Sequence, residues 1–257
     1  MIRDLRTILD GWAYEPGRIS CRRIIGRDGR EKIQTRIDLG VMQFECNGRP
    51  DGRTPGGHAS LLDGCEQRLR EHIDVHGSDE EFVIGPEECR ELRHESYLYY
   101  QRYLAFYVLE EYDGLARDTV RNLRVIDLCA RYAGTEYDRT VLQPQRPYVV
   151  MMHTRARVQL ALAAGEQELA LKVVREGMGE IARFAGECAC EGAGTGELRA
   201  LEELQRDVLA KLPPEAPARL QTELQAALAV EDYETAAVLR DRLRNARRSP
   251  ARSTARG

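Results

Sequence analysis

The residues of this 257-residue chain that come nearest to a metal-ligand pair are His72 and His76, in Glu71-His72-Ile73-Asp74-Val75-His76. Two histidines at i, i+4 share a helix face and can offer two nitrogens to one ion. The segment lacks the glutamate of an HExxH arrangement and a third ligand, so histidines near a helix C-terminus are the expected state and no metal is assigned. Cys188 and Cys190 form a CxC beside a Gly-rich stretch, and one adjacent pair cannot supply a tetrahedral site. The other cysteines, Cys21, Cys46, Cys65, Cys89 and Cys129, show no CxxC spacing and read as buried small hydrophobes. Tyr97, Tyr100, Tyr103, Phe106 and Tyr107 make an aromatic stripe. Core packing with hydroxyls at the rim is favoured for it over stacking on bases. No Ser/His/Asp or Cys/His grouping assembles, and paired carboxylates carry no signal in a chain that is 31% charged. No catalytic residue and no cofactor are assigned, and enzymatic activity is not expected.

A second chemistry open to these residues is anion binding. Residues 18–36 hold seven basic side chains against Asp28 and Glu31, and the tail after Asp241 holds six arginines and no acid. Arg22, Arg23, Arg27, Arg30, Lys32 and Arg36 are the tentative nucleic-acid contacts, since a β-ribbon can enter a groove and arginines meet phosphates. Arginines on a solvated strand face are the competing explanation. The formal charge of −4 argues against a surface that coats nucleic acid or anionic membrane as a whole. The loop Gly48-Arg49-Pro50-Asp51-Gly52-Arg53 could present a small-ligand site, and an ordinary exposed turn explains it equally well. Met1-Ile2-Arg3-Asp4 does not open a secretory leader and the apolar runs are short, so a cytoplasmic protein without a membrane partner is expected.

These residues must be positioned by a mainly helical scaffold. A short helix is expected over 3–12, broken at Pro16-Gly17. A β-hairpin follows, turning at Asp28-Gly29, with Ile33, Thr35, Ile37, Leu39 and Val41 at period two facing inward and Arg22, Lys32 and Arg36 on the wet face. Residues 47–57 carry too many glycines and prolines for regular structure. Helical spacing then covers 59–76, a helix opening with Gly85 and Pro86 and running to about Glu111, then 114–133, 148–164 and 167–185. The turns before Gly114 and around Gly165 give these pairs a weak TPR-like character without a strict 34-residue period. Residues from 185 read as a flexible connection, followed by a helix striped by Leu198, Leu201, Leu204, Val208 and Leu212 and stopped at Pro213-Pro214.

The most explicit pattern is C-terminal. Leu220, Leu224 and Leu228 repeat at i, i+4, i+8, and Ala236, Leu239 and Leu243 continue the stripe in a second helix for which Asp232 is the expected N-cap. The segment Asp232-Tyr233-Glu234-x-Ala236-Ala237-x-Leu239-Arg240-Asp241, within about 216–246, resembles the UVR motif, the helical hairpin found near the C-terminus of UvrB, within UvrC and in regulators such as McsA. In that family the hairpin pairs with another copy, in a different protein or in a second subunit. The resemblance implies docking through Leu220, Leu224, Leu228, Tyr233, Ala236, Ala237, Leu239, Arg240 and Leu243. It stops there, because the chain has no GxxxxGK[ST] phosphate loop, nothing resembling nuclease domains in its first 190 residues, and no zinc-type cysteine pairs.

The expected architecture is an N-terminal helix, basic β-hairpin and Gly/Pro loop (1–57), an irregular TPR-like helical body (58–190), a connection and linker helix (191–214), a UVR-like hairpin (215–247) and a disordered tail (248–257). A thirty-residue hairpin has too little apolar surface to order itself, so its leucines are expected to seek another UVR-type or helical protein, or a second copy of the chain. The expected function is a non-catalytic adaptor. A DNA- or RNA-associated repair or stress factor and a regulator of a protein kinase or protease are the alternatives.

Overall fold

The computed structural model describes residues 4–187 and 192–248. After a single turn of helix, α1 (Arg6–Leu9), strands β1 (Ser20–Ile25), β2 (Glu31–Ile37) and β3 (Gly40–Glu45) form an antiparallel sheet in that order. The helices α2 (Leu61–His76), α3 (Pro86–Val108), α4 (Tyr112–Tyr132), α5 (Glu136–Thr140), α6 (Arg146–Ala163), α7 (Gln167–Glu187) and α8 (Thr195–Lys211) build the body. A terminal pair, α9 (Pro217–Ala229) and α10 (Tyr233–Arg248), completes the described chain. The protein is therefore mainly α, with a small sheet at one end of the sequence and a helical hairpin at the other.

The sheet corrects the expected hairpin. The run from Ile33 to Val41 does not stay one strand: Ile37 pairs with Gly40 across Asp38-Leu39, and a third strand returns. This makes β2 the central strand with both faces covered, so Lys32 and Gln34 are buried alongside Ile33 and Thr35. The inner face, with Cys21, Ile33, Met42 and Phe44, packs on Tyr103 and Phe106 of α3. On the other face Arg22 Nε donates to Gln34 Oε1 at 2.9 Å, Gln34 Nε2 donates to Gln43 Oε1 at 2.9 Å, and the Arg22 guanidinium lies 4.0 Å from the Trp12 ring centre. Strict alternation marks a half-wet strand only where no third strand or capping segment covers the polar side.

Local signals set the helix ends. Ser60 accepts from the Asp63 amide at 3.2 Å to open α2, and Gly77 closes it in the left-handed region at φ 77°. Gly85 and Pro86 open α3 as expected. The approach of α4 to α3 depends on Gly114, where a Cβ would lie 2.7 Å from the Phe106 ring. In the next pair the close approach falls at Gly177 against Thr154 on α6, whereas Gly165 serves the turn with φ 76°. The α8 helix is part of the body and not a free linker, because Leu201 and Val208 are fully buried against α6 and α7.

Buried charge ties the sheet to the body. Arg102 and Asp118 are both 0% exposed and form a bidentate pair at 2.7 and 2.8 Å, while Arg102 Nη1 donates to the carbonyls of Glu45 and Gly48 at 2.9 and 2.8 Å. Glu95, also fully buried, pairs with Arg121 and Arg49 and accepts from the Leu61 amide at 2.9 Å, satisfying a free N–H at the start of α2. Such pairs persist in a low-dielectric interior only when their remaining hydrogen-bonding positions are filled, as they are for Arg102.

Candidate docking hairpin

The C-terminal hairpin is built by short-range rules. Pro217 sits in the first turn of α9, where a missing N–H costs nothing. The chain reverses through Glu231 at φ 59°, with the Asp232 amide donating to Ala227 O at 2.9 Å. Asp232 Oδ1 then accepts from the Thr235 amide at 3.0 Å, the N-cap expected from the sequence, and the Thr235 hydroxyl together with this amide holds the Asp232 carboxyl below the usual carboxylate range.

Leu220, Ala227, Ala236, Leu239 and Leu243 are buried against one another, with Leu224 and Ala246 packed at the edge. The seam expected to meet a partner is thus closed by the hairpin's own two helices. Outward of it stand Leu228, Val230, Tyr233 and Val238, at 49%, 74%, 66% and 56% exposure. Tyr233, Ala237 and Arg240 recur at i, i+4, i+7, so these three exposed residues share one flank of α10. The expected docking residues therefore divide into a structural set (Leu220, Leu224, Ala236, Leu239, Leu243) and an outward set (Leu228, Tyr233, Ala237, Arg240). Val230, in the turn, and Val238, within α10, are exposed apolar residues outside the leucine repeat.

Among the described residues, the hairpin is fastened to the body near the start of α9. Ala216 and Ala218 pack on the α6–α7–α8 core, and Arg175 of α7 donates to Ala218 O at 3.3 Å and to the Thr222 hydroxyl. Arg242 pairs with Glu215 at 2.7 Å, fastening α10 back to the proline segment.

Residues 218–249 match the family model of the UvrB/uvrC motif, UVR. The match coincides with α9 and α10 and takes in the flank just described. Neither the curated proteins nor the solved structures gave a match to the chain. The UVR hairpin is accordingly the one segment whose kind is shown by comparison.

Arg23 is held by Glu31 and Glu111, and Lys32 by Asp28 and Glu45. Arg22 is spent on Gln34, the Ile8 carbonyl and Trp12, and Arg36 donates to the carbonyls of Asp38 and Gly40 at 3.0 Å. Arg30 lies 4.0 Å from Asp28, and Arg27 makes no hydrogen bond or ion pair among the described residues. The structure does not gather these six into a phosphate-binding face. In the 48–53 loop, Arg49 is 3.3 Å from both Asp51 and Glu95, so it buttresses the buried carboxylate. His72 Nε2 meets the Glu80 carbonyl at 2.8 Å and its ring stands 4.4 Å from that of His76; among the described residues no group of three or more metal-ligating side chains converges. Cys188 and Cys190 lie outside the described residues. No helix of the described residues is long and apolar enough to cross a membrane.

Proposed function

We propose that the protein is a non-catalytic adaptor whose UVR hairpin docks a second two-helix hairpin, on another protein or on a second copy of the chain, through its outward flank. The observation that carries this is the exposed apolar set Leu228, Val230 and Tyr233 around the turn of a hairpin whose own seam is already closed. Apolar residues clustered on a rigid helical surface among charges are the composition of an interaction patch, with an aromatic anchor and a polar rim. Arg240 and Asp241 flank Tyr233 and Ala237 and would select the partner electrostatically. The UVR match supports the reading, since the motif is associated with protein–protein interaction. The tethered but lightly attached position of the hairpin also supports it, because the flank stays clear of the body.

The test separates the two residue sets. Leu228→Glu with Tyr233→Glu should leave helical content unchanged and abolish both self-association in sedimentation velocity and co-purification of a bound protein. Leu224→Asp with Leu239→Asp should abolish association as well, but by unfolding the hairpin. Association retained by the flank variant would overturn the proposal. The alternative of nucleic-acid binding has no comparable support, since most of the basic strand residues are internally paired.

A further inference from the structure

A cleft of about 500 Å³ opens between α3 and the segment entering α6, with Ser96, Tyr97, Tyr100, Tyr103 and Tyr148 among its lining residues. Its size lies within the range of small-molecule sites. The tyrosines are mutually inclined: Tyr100 and Tyr103 stand 5.3 Å apart at 88°, and Tyr100 and Tyr148 6.3 Å apart at 62°. Tyr103 is buried behind this cluster, whereas Tyr97 is exposed and Tyr100 and Tyr148 are half-buried, so these three are the rings an occupant can reach.

The polar groups are what distinguish the cleft from a packing defect. Ser96 is only 7% exposed and its hydroxyl oxygen has no hydrogen-bond partner. A serine within a helix ordinarily returns its hydroxyl to a carbonyl one turn back, and an unmade buried hydrogen bond is costly. The hydroxyls of Tyr97, Tyr100, Tyr103 and Tyr148 likewise make no hydrogen bond among the described residues. Burial pushes the Tyr103 and Tyr148 phenols above their usual range, so both remain protonated donors. The charged lining residue, Arg93, is neutralised by Asp138. An occupant therefore has to bring a flat apolar face for Tyr97, Tyr100 and Tyr148 and a hydrogen-bonding edge for Ser96, and it gains nothing from a net charge.

We propose that this cleft binds an uncharged, flat heteroaromatic ring of base or nucleoside size, stacked on the tyrosines and hydrogen-bonded to the Ser96 hydroxyl. A phosphate-bearing ligand or a nucleic-acid strand would need an unpaired cation at the rim, and Arg93 is not one. The inference is independent of the hairpin and would add a ligand-sensing body to a docking tail.

The experiment is saturation-transfer NMR and titration calorimetry on the full chain with adenosine and uridine, with p-cresol as a ring lacking the heteroatom edge and AMP as the charged arm. Adenosine or uridine should bind, more tightly than p-cresol and no more weakly than AMP. Tyr97→Ala should lower affinity about tenfold, the usual effect of losing one stacking ring, and Ser96→Ala about fivefold, one hydrogen bond's worth. Tyr97 is exposed and Ser96→Ala is nearly isosteric, so circular dichroism should be unchanged in both. No transfer to either nucleoside at millimolar concentration, affinity indifferent to both substitutions, or AMP binding markedly tighter than adenosine would each overturn the proposal.

Discussion

Replacing Asp118 with alanine tests whether the buried pair with Arg102 holds the sheet to the helices. Both side chains are inaccessible, and Arg102 divides its donors between the Asp118 carboxylate, at 2.7 and 2.8 Å, and the Glu45 and Gly48 carbonyls, at 2.9 and 2.8 Å. Asp118→Ala leaves a buried guanidinium with two N–H groups unpaired, and breaking such a pair from one side costs about 3–5 kcal/mol. A domain of ordinary stability has about 5–15 kcal/mol in all, so the loss should move the urea midpoint plainly at pH 7. Arg102→Met alone abandons the two carbonyls as well as Asp118, although Arg117, whose Nε lies 3.2 Å from Asp118, remains to accompany the carboxylate. The double variant Arg102→Met/Asp118→Leu removes both charges and should be less destabilised than the sum of its singles by about 2 kcal/mol or more. A local readout distinguishes the mechanism: in the Arg102→Met chain the 48–53 loop loses its bond to Gly48 O, so trypsin should cut at the already exposed Arg53 faster than in the unaltered chain. A cost below about 1 kcal/mol for Asp118→Ala, or additive singles, would refute the reasoning.

The other expectations concern packing, the hairpin and pH. Gly177→Ala should destabilise by about 1–3 kcal/mol through overpacking against Thr154, and Thr154→Ala in the same chain should restore most of it, as read from thermal melts. Leu239→Ala should weaken the hairpin by about 2–3 kcal/mol, seen as faster amide exchange in α9 and α10 with the body unchanged. His153, bonded at Nδ1 to the Thr119 hydroxyl at 3.1 Å, has its pKa lowered by burial and by Arg157. The unfolded chain therefore protonates first on acidification, so stability present above about pH 6.5 is lost as pH falls below it. His153→Gln should flatten the fall in melting temperature between about pH 7 and 5.5, and an identical slope in both proteins would count against the assignment.

The elements that were legible in the sequence are those specified by local rules. Gly85-Pro86, Pro213-Pro214 and Asp232 each mark a helix boundary through their own backbone chemistry, and the structure uses them so. What was not legible depends on distant residues. Lys32 looks like a wet-face cation until β3 brings Glu45 beside the neighbouring turn's Asp28, and Arg102, Glu95 and Asp118 look like solvated helix charges until three elements converge on them. The same limit explains the docking hairpin. Periodicity identified Leu220, Leu239 and Leu243 as one stripe, but only the fold shows that the stripe is consumed by the facing helix and that Leu228, Tyr233 and Val238 are left outside. The tyrosine stripe divides in the same way, Tyr103 entering the core and Tyr97 standing at the rim of the cleft.

The most direct test of the adaptor account is the mass of the complex formed by the Leu228→Glu/Tyr233→Glu chain compared with the unaltered chain, by light scattering, with helicity followed in parallel. The account predicts full helicity with the complex reduced to the single chain. Full helicity with an unchanged complex mass would contradict it.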